Sequence, residues 1–123
     1  MKTGAGSKTW FVPDAYYPEK SNGLFPSHEA ICVLNTGEKD AELEITLYFE
    51  DRDKMTGFRA VCPAGRTRHI RMDRLKDTAG NGVPQAVPYA MTVESSENIV
   101  VQYSRMDTSQ AEMALMTTIA FPL

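Results

Sequence analysis

The stretch Ala41-Glu42-Leu43-Glu44-Ile45-Thr46-Leu47-Tyr48-Phe49-Glu50 alternates apolar and polar side chains without a break. Period two is the mark of a strand with one face on a core and the other in water. Ala41, Leu43, Ile45, Leu47 and Phe49 form the inner set, and Glu42, Glu44, Thr46, Tyr48 and Glu50 the outer one. A slip of one residue would bury the glutamates, so the register is strongly specified.

Strand signals extend on both sides. His28 to Leu34 ends at the turn-rich Asn35-Thr36-Gly37-Glu38-Lys39-Asp40, which predicts an antiparallel hairpin with the quoted strand. Phe58 to Cys62 and Thr67 to Met72 read as two more strands joined closely by Pro63-Ala64-Gly65, with a helical turn over Asp73 to Lys76. Asp77 to Pro88 carries two glycines, two prolines and an asparagine and reads as an irregular loop. Tyr89 to Glu94 and Asn98 to Met106 read as separate strands, the second with the β-branched Ile99-Val100-Val101 expected of a central strand. Thr9 to Val12 makes a first strand, followed by a loop from Pro13 to Ser27. Residues 113 to 121 open with helix formers but turn β-branched, and they are read as a strand because pairing would bury Leu115 and Ile119.

At 123 residues the chain fits one domain, residues 1–123, and 42% apolar with 24% charged residues excludes disorder over the whole length. Sixteen acids against thirteen bases give a net charge of −3, which argues against a nucleic-acid partner. No apolar run stands behind a basic start, so the expected address is the cytoplasm. There Cys32 and Cys62, each in an apolar stretch, are expected as buried free thiols.

His28 and His69 lack metal-binding helix spacing, and two cysteines are too few for zinc, so no metal and no cofactor is expected. Ser27-His28-Glu29 has no strand-turn-helix nucleophile elbow around it, which leaves a hydrolase using His28 or His69 as a minor rival reading. Arg66-Thr67-Arg68-His69-Ile70-Arg71-Met72 is the local basic patch: either an anion-binding surface or a solvated edge strand guarded by charge. Gln102 and Ser104 share a strand face, and Arg105 with Asp107 makes either a structural ion pair or half of a polar cup. Trp10, Tyr16 and Tyr17 would give such a cup a stacking face for a sugar.

Several short blocks, in order, resemble the sensory rhodopsin transducer family: Ser27-His28-Glu29 with Cys32-Val33-Leu34-Asn35 and Gly37; Glu44-Ile45-Thr46 with Tyr48; Pro63-Ala64 with Arg66-Thr67 and His69; Val100-Val101-Gln102 with Arg105, Asp107, Gln110 and Ala111; and Leu115 with Thr118-Ile119-Ala120. They span about residues 9 to 121. The resemblance implies an all-β, single-domain β-sandwich of jelly-roll type with about eight strands. It further implies a non-enzymatic signalling module, a cytoplasmic homotetramer whose partner is a membrane photoreceptor or another signalling protein. The wider family occurs without such a photoreceptor, so the alternative is a module binding a small polar ligand or carbohydrate. DNA binding has been suggested for these transducers; the acidic charge speaks against it here. Carried over by position, the ligand-binding residues are His28, Glu29, Asn35, Arg66, His69, Gln102, Arg105, Asp107 and Gln110, expected at one recess. Ser109 stands where transducers carry a further basic residue, and the loop after Lys76 differs in composition.

Overall fold

A computed structural model describes residues 3–123. The strands are β1 (Ser7–Tyr16), β2 (His28–Asn35), β3 (Ala41–Phe49), β4 (Met55–Cys62), β5 (Arg66–Arg71), β6 (Pro88–Asp107), β7 (Ala114–Ile119) and β8 (Phe121–Pro122), with one 3-10 turn at Met72–Arg74. All pairings between strands are antiparallel. The chain is an all-β sandwich in which one long strand belongs to both layers. In the first layer the order is β4-β3-β6-β1-β8; in the second, β2 lies between β5 and β6, and β7 flanks β6 on its other side.

β6 makes this possible by its pattern. Tyr89, Met91 and Val93 face inward in the first layer, and Ile99, Val101 and Tyr103 continue the same parity in the second, all buried. Between them Ser95 and Glu97 hold the inward positions at the rim, where the Ser95 hydroxyl accepts the Glu97 N–H at 3.2 Å. The polar interruption read as a gap between two strands is therefore the crossing point of one.

β1 also runs further than expected, through Pro13 to Tyr16. A register shift between Val12 and Ala15 absorbs the proline, which has no N–H for the ladder. The extra residue also resets the parity, so that Trp10, Val12 and Ala15 all point inward.

The hairpin expected between β2 and β3 is absent. β2 and β3 follow one another closely, yet β2 pairs with β5 and β6 while β3 pairs with β4 and β6. The turn at 36–40 therefore arches from one layer to the other, and so does Pro63-Ala64-Gly65 between β4 and β5. The reason is burial: both β2 and β3 carry an apolar face, and two such faces are covered by stacking on each other rather than by lying side by side. The inner face of β3 is as expected, with Ala41, Leu43, Ile45 and Leu47 buried. They meet Ile31 and Val33 of β2 and Phe58 of β4 in one cluster, each large side chain contributing about 1.5–3 kcal/mol.

Residues 113 to 121 do form strand, as β7 and β8, but the burial expected there does not occur: Leu115 is 70% exposed and Ile119 62%. β7 is the outermost strand of its layer, with every residue exposed. Both cysteines are free; Cys62 is buried, whereas Cys32 is half-buried on the outer face of β2 rather than inside.

Candidate functional site

The inner face of β2 reads Glu29, Ile31, Val33, Asn35, and all four are buried. A polar group therefore stands at each end of an apolar strand face, and each must be satisfied where it lies.

Glu29, 1% exposed, is the hub of the first end. Its Oε1 accepts the Tyr89 hydroxyl at 2.5 Å, and its Oε2 accepts the Tyr103 hydroxyl and the Tyr16 N–H, the latter at 2.7 Å. Tyr89 and Tyr103 come from the two halves of β6 and Tyr16 from the end of β1, so one carboxylate ties both layers together. Burial, then the charge of Glu29 and its hydrogen bonds, push both phenols well above the usual tyrosine range.

Arg105, in register with Glu29, carries the network outward. Its Nε donates to the Tyr103 hydroxyl at 3.2 Å, its guanidinium lies 5.8 Å from that ring's centre, and Nη2 stands 3.8 Å from the exposed Asp14 carboxylate. Partial burial opposes the charge of Arg105, but the Tyr103 hydrogen bond and the carboxylates of Glu29 and Asp14 outweigh it and hold the guanidinium protonated. The Arg105–Asp107 pair considered from sequence is not formed. Asp107 accepts the Ser109 N–H at 2.8 Å, and the Ser109 side chain followed by that N–H lowers its carboxyl below the usual range.

Asn35 closes the other end, roughly 20 Å away along the strand. Its Oδ1 accepts the Gly37 N–H at 3.0 Å, and its Nδ2 donates to the carbonyls of Lys39 at 2.8 Å and Cys62 at 3.1 Å. It pins the arch between layers to the end of β4. Arg66, opposite Asn35 on β5, is exposed and turns back to the Gly65 carbonyl.

The outer face of the second layer gathers three more of the nine. Across its strands run the rows His69, Cys32, Gln102, Ile119 and Arg71, Ala30, Ser104, Thr117, with His28, Met106 and Leu115 beyond them. The Gln102 amide donates to the Thr117 hydroxyl, and His28 Nδ1 contacts the Pro26 carbonyl at 2.9 Å. His69 also borders a cleft of about 260 Å³ lined by Arg68, Arg71 and Arg74, where Asp73 takes the Arg71 guanidinium through both oxygens. Gln110 stands apart, exposed in the connection to β7.

The nine residues thus do not share a recess. Glu29, Arg105 and Asp107 lie at one inner end; Asn35 and Arg66 at the other; His28, His69 and Gln102 on an outer face. A larger groove, about 540 Å³ on the outer face of the first layer, is lined by Glu42, Glu44, Arg59 and Glu94 and by none of the nine. Trp10 is core: its indole donates to the carbonyls of Ser7 and Ile99, leaving no face for a sugar. Tyr89 and Tyr103 were missed as site residues, although a tyrosine on an aliphatic inward face signals a hydroxyl needing a buried partner. Ser27 and Thr108 were missed too; the Ser27 hydroxyl takes the Thr108 N–H at 2.9 Å and gives its proton to the Lys20 carbonyl at 2.6 Å, fastening the loop before β2 to the end of β6.

Among the described residues no helix is long and apolar enough to cross a membrane. No curated protein sequence matches the chain. Among solved structures, one titled as the crystal structure of Thermotoga maritima 1070 superposes with a TM-score of 0.86 at 34% identity, covering 96% of each chain. The Anabaena sensory rhodopsin transducer superposes with a TM-score of 0.75 at 37% identity, over 87% of this chain and 94% of that one. A family model described as Anabaena sensory rhodopsin transducer matches residues 5–122, and with that span the chain belongs to the sensory rhodopsin transducer family.

Proposed function

We propose that this protein is a cytoplasmic, non-enzymatic signalling module that works as a homotetramer and takes its signal from a protein partner, a membrane photoreceptor in the first instance. The observation that carries the reading is the family match over residues 5–122. The arrangement of polar groups suits the role. Glu29 is enclosed and fully engaged by three donors, so it serves to couple elements rather than to act on a substrate. The path Glu29, Tyr103, Arg105, Asp14 links the strand common to both layers with the surface.

In this reading the partner meets the outer face of the second layer at His28, His69 and Gln102. Glu29, Arg105 and Asp107 pass on the change, Asn35 and Arg66 hold the opposite end, and Gln110 lies in the connection to β7. A partner that favours one packing of the two layers shifts the population toward it, by no more than its differential affinity; tenfold is about 1.4 kcal/mol.

The test is calorimetric titration of the chain with a detergent-solubilised sensory rhodopsin, in darkness and under illumination. Binding whose affinity changes with light supports the reading, and loss of that change in a His69→Ala, Gln102→Ala variant places the contact. No binding in either condition, together with a melting temperature raised by a sugar or by inorganic phosphate, overturns it in favour of a small-molecule module.

A further inference from the structure

Four of the chain's seven arginines fall between positions 66 and 74, where the only acid is Asp73, although the net charge of the chain is −3. Three of them meet. Arg68, His69, Arg71 and Arg74 line one cleft of about 260 Å³, with Ile70 and Leu75 as the apolar part of its lining. The cleft lies along β5, which pairs with β2 alone and is open on its other side. Arg68 has the parity of the buried Ile70, His69 and Arg71 have the opposite one, and Arg74 comes from the 3-10 turn beyond the strand. Charges that only keep other strands away are spread along an edge. Here side chains from both faces of β5 and from the next turn converge on one place.

The donors gathered there are largely uncommitted. Among the described residues, no hydrogen bond or ion pair engages the side chains of His69 and Arg74. Arg68 gives only Nη1, to the Val61 carbonyl at 2.6 Å. Arg71 gives Nε and Nη2 to the two Asp73 oxygens at 2.8 and 2.7 Å, which leaves its Nη1. Three guanidinium charges less the one Asp73 carboxylate leave two, with His69 uncharged. Beside the buried Ile70 and the half-buried Leu75 these charges act in a medium less polar than open water, where a counter-charge is held more strongly.

We infer that this cleft is a binding site for a phosphate monoester, either soluble or presented as a lipid headgroup. Guanidinium forks arriving from three directions match an oxyanion with three oxygens to share. Two net charges match a monoester, which carries about −1.5 to −2 at pH 7, better than a singly charged diester. Nucleic acid fits poorly, because the lining has no aromatic ring on which a base would stack. The cleft has room for the phosphate and the first few atoms of its carrier, so the protein reads the charged head. Arg68, Arg71 and Arg74 stand outside the sequence blocks that mark the family, which makes the site a property of this chain. The inference goes beyond the signalling reading and touches the proposed partner face only at His69.

Calorimetric titration with inorganic phosphate and with glycerol 3-phosphate, at constant ionic strength in chloride, tests the site. The expected result is saturable binding of both, weakened at least tenfold, about 1.4 kcal/mol, in Arg68→Gln with Arg74→Gln. Because Arg68 also holds the Val61 carbonyl, Arg74→Glu alone is the second variant. Its melting temperature in chloride should match that of the natural chain while phosphate binding is lost. Arg59→Gln, in the groove of the first layer, is the control and should bind as the natural chain does. Flotation with phosphatidylcholine vesicles carrying phosphatidic acid separates the two sources. Flotation that Arg74→Glu abolishes assigns the headgroup, and titration without flotation assigns a soluble ester; either supports the site. Absence of binding in both arms overturns the inference, as does binding that the arginine variants leave unchanged, or a DNA fragment that binds there more tightly than the monoesters. Light-dependent partner binding remains measurable in Arg74→Glu, so either reading can fail while the other stands.

Discussion

Glu29 and Tyr89 are sixty residues apart in sequence and meet at 2.5 Å between the layers, the phenol donating to a carboxylate that no water reaches. The pair is costly to break from either side. Tyr89→Phe should lower stability by about 1.5–3 kcal/mol, the range for a hydrogen bond to a charged group, and Glu29→Ala by about 3 kcal/mol or more, because it strands two hydroxyls and a backbone N–H. Urea unfolding checks this: the midpoint should fall with the slope unchanged, and a Tyr89→Phe midpoint equal to the natural one would refute the account.

The same contact sets an alkaline limit. Burial and the Glu29 carboxylate raise the folded-state values of Tyr89 and Tyr103 above the ordinary value of 10.0. The folded state thus prefers the protonated phenols, so their contribution is complete below about pH 10 and lost as pH rises through the folded values. At pH 11 the native protein should gain less phenolate absorbance than the urea-unfolded chain, by nearly two tyrosines, and stability should decline from there upward. Equal absorbance with the fold intact would contradict it.

Asn35 offers a third check, because its three hydrogen bonds hold an arch rather than a ligand. Asn35→Ala should cost about 2 kcal/mol and lower the melting temperature by roughly 8 °C. A partner-binding role without that loss of stability would show instead as weaker binding by a protein of unchanged melting temperature.

The cysteines should behave differently toward a thiol reagent. Cys32 lies half-buried on the outer face of β2, whereas Cys62 is buried, with burial pushing its thiol up despite the nearby Asn35 and Arg68. One equivalent should react quickly in the native state and the second only at the rate of unfolding; two fast equivalents would show that the β4 end opens readily.

What the sequence disclosed was chiefly which faces are buried. The alternation in β3 and the run Ile99-Val100-Val101 identified inward positions because apolar burial imposes period two wherever one face meets a core. Pairing was harder. The turns at 36–40 and 63–65 have the chemistry of hairpins, and whether such a turn folds a strand beside its predecessor or above it depends on distant partners. Glu29 was expected at a ligand recess, although its parity with Ile31 and Val33 already placed it inside. Leu115 and Ile119 misled in the opposite sense: apolar residues imply cover, and here the fold of a single chain does not supply it.

β6 has an implication for how the molecule comes into being. It forms ladders with β1, β2, β3 and β7, and it lies about seven-tenths of the way along the chain. On a ribosome adding roughly 5–20 residues per second, β1 must wait some 4–20 s before the neighbour it depends on has been made. Only β3 with β4, and β2 with β5, can assemble earlier. The nascent chain therefore passes through a long interval with Trp10 and Val12 uncovered, and a ribosome stalled before residue 88 would display a segment that chaperones recognise.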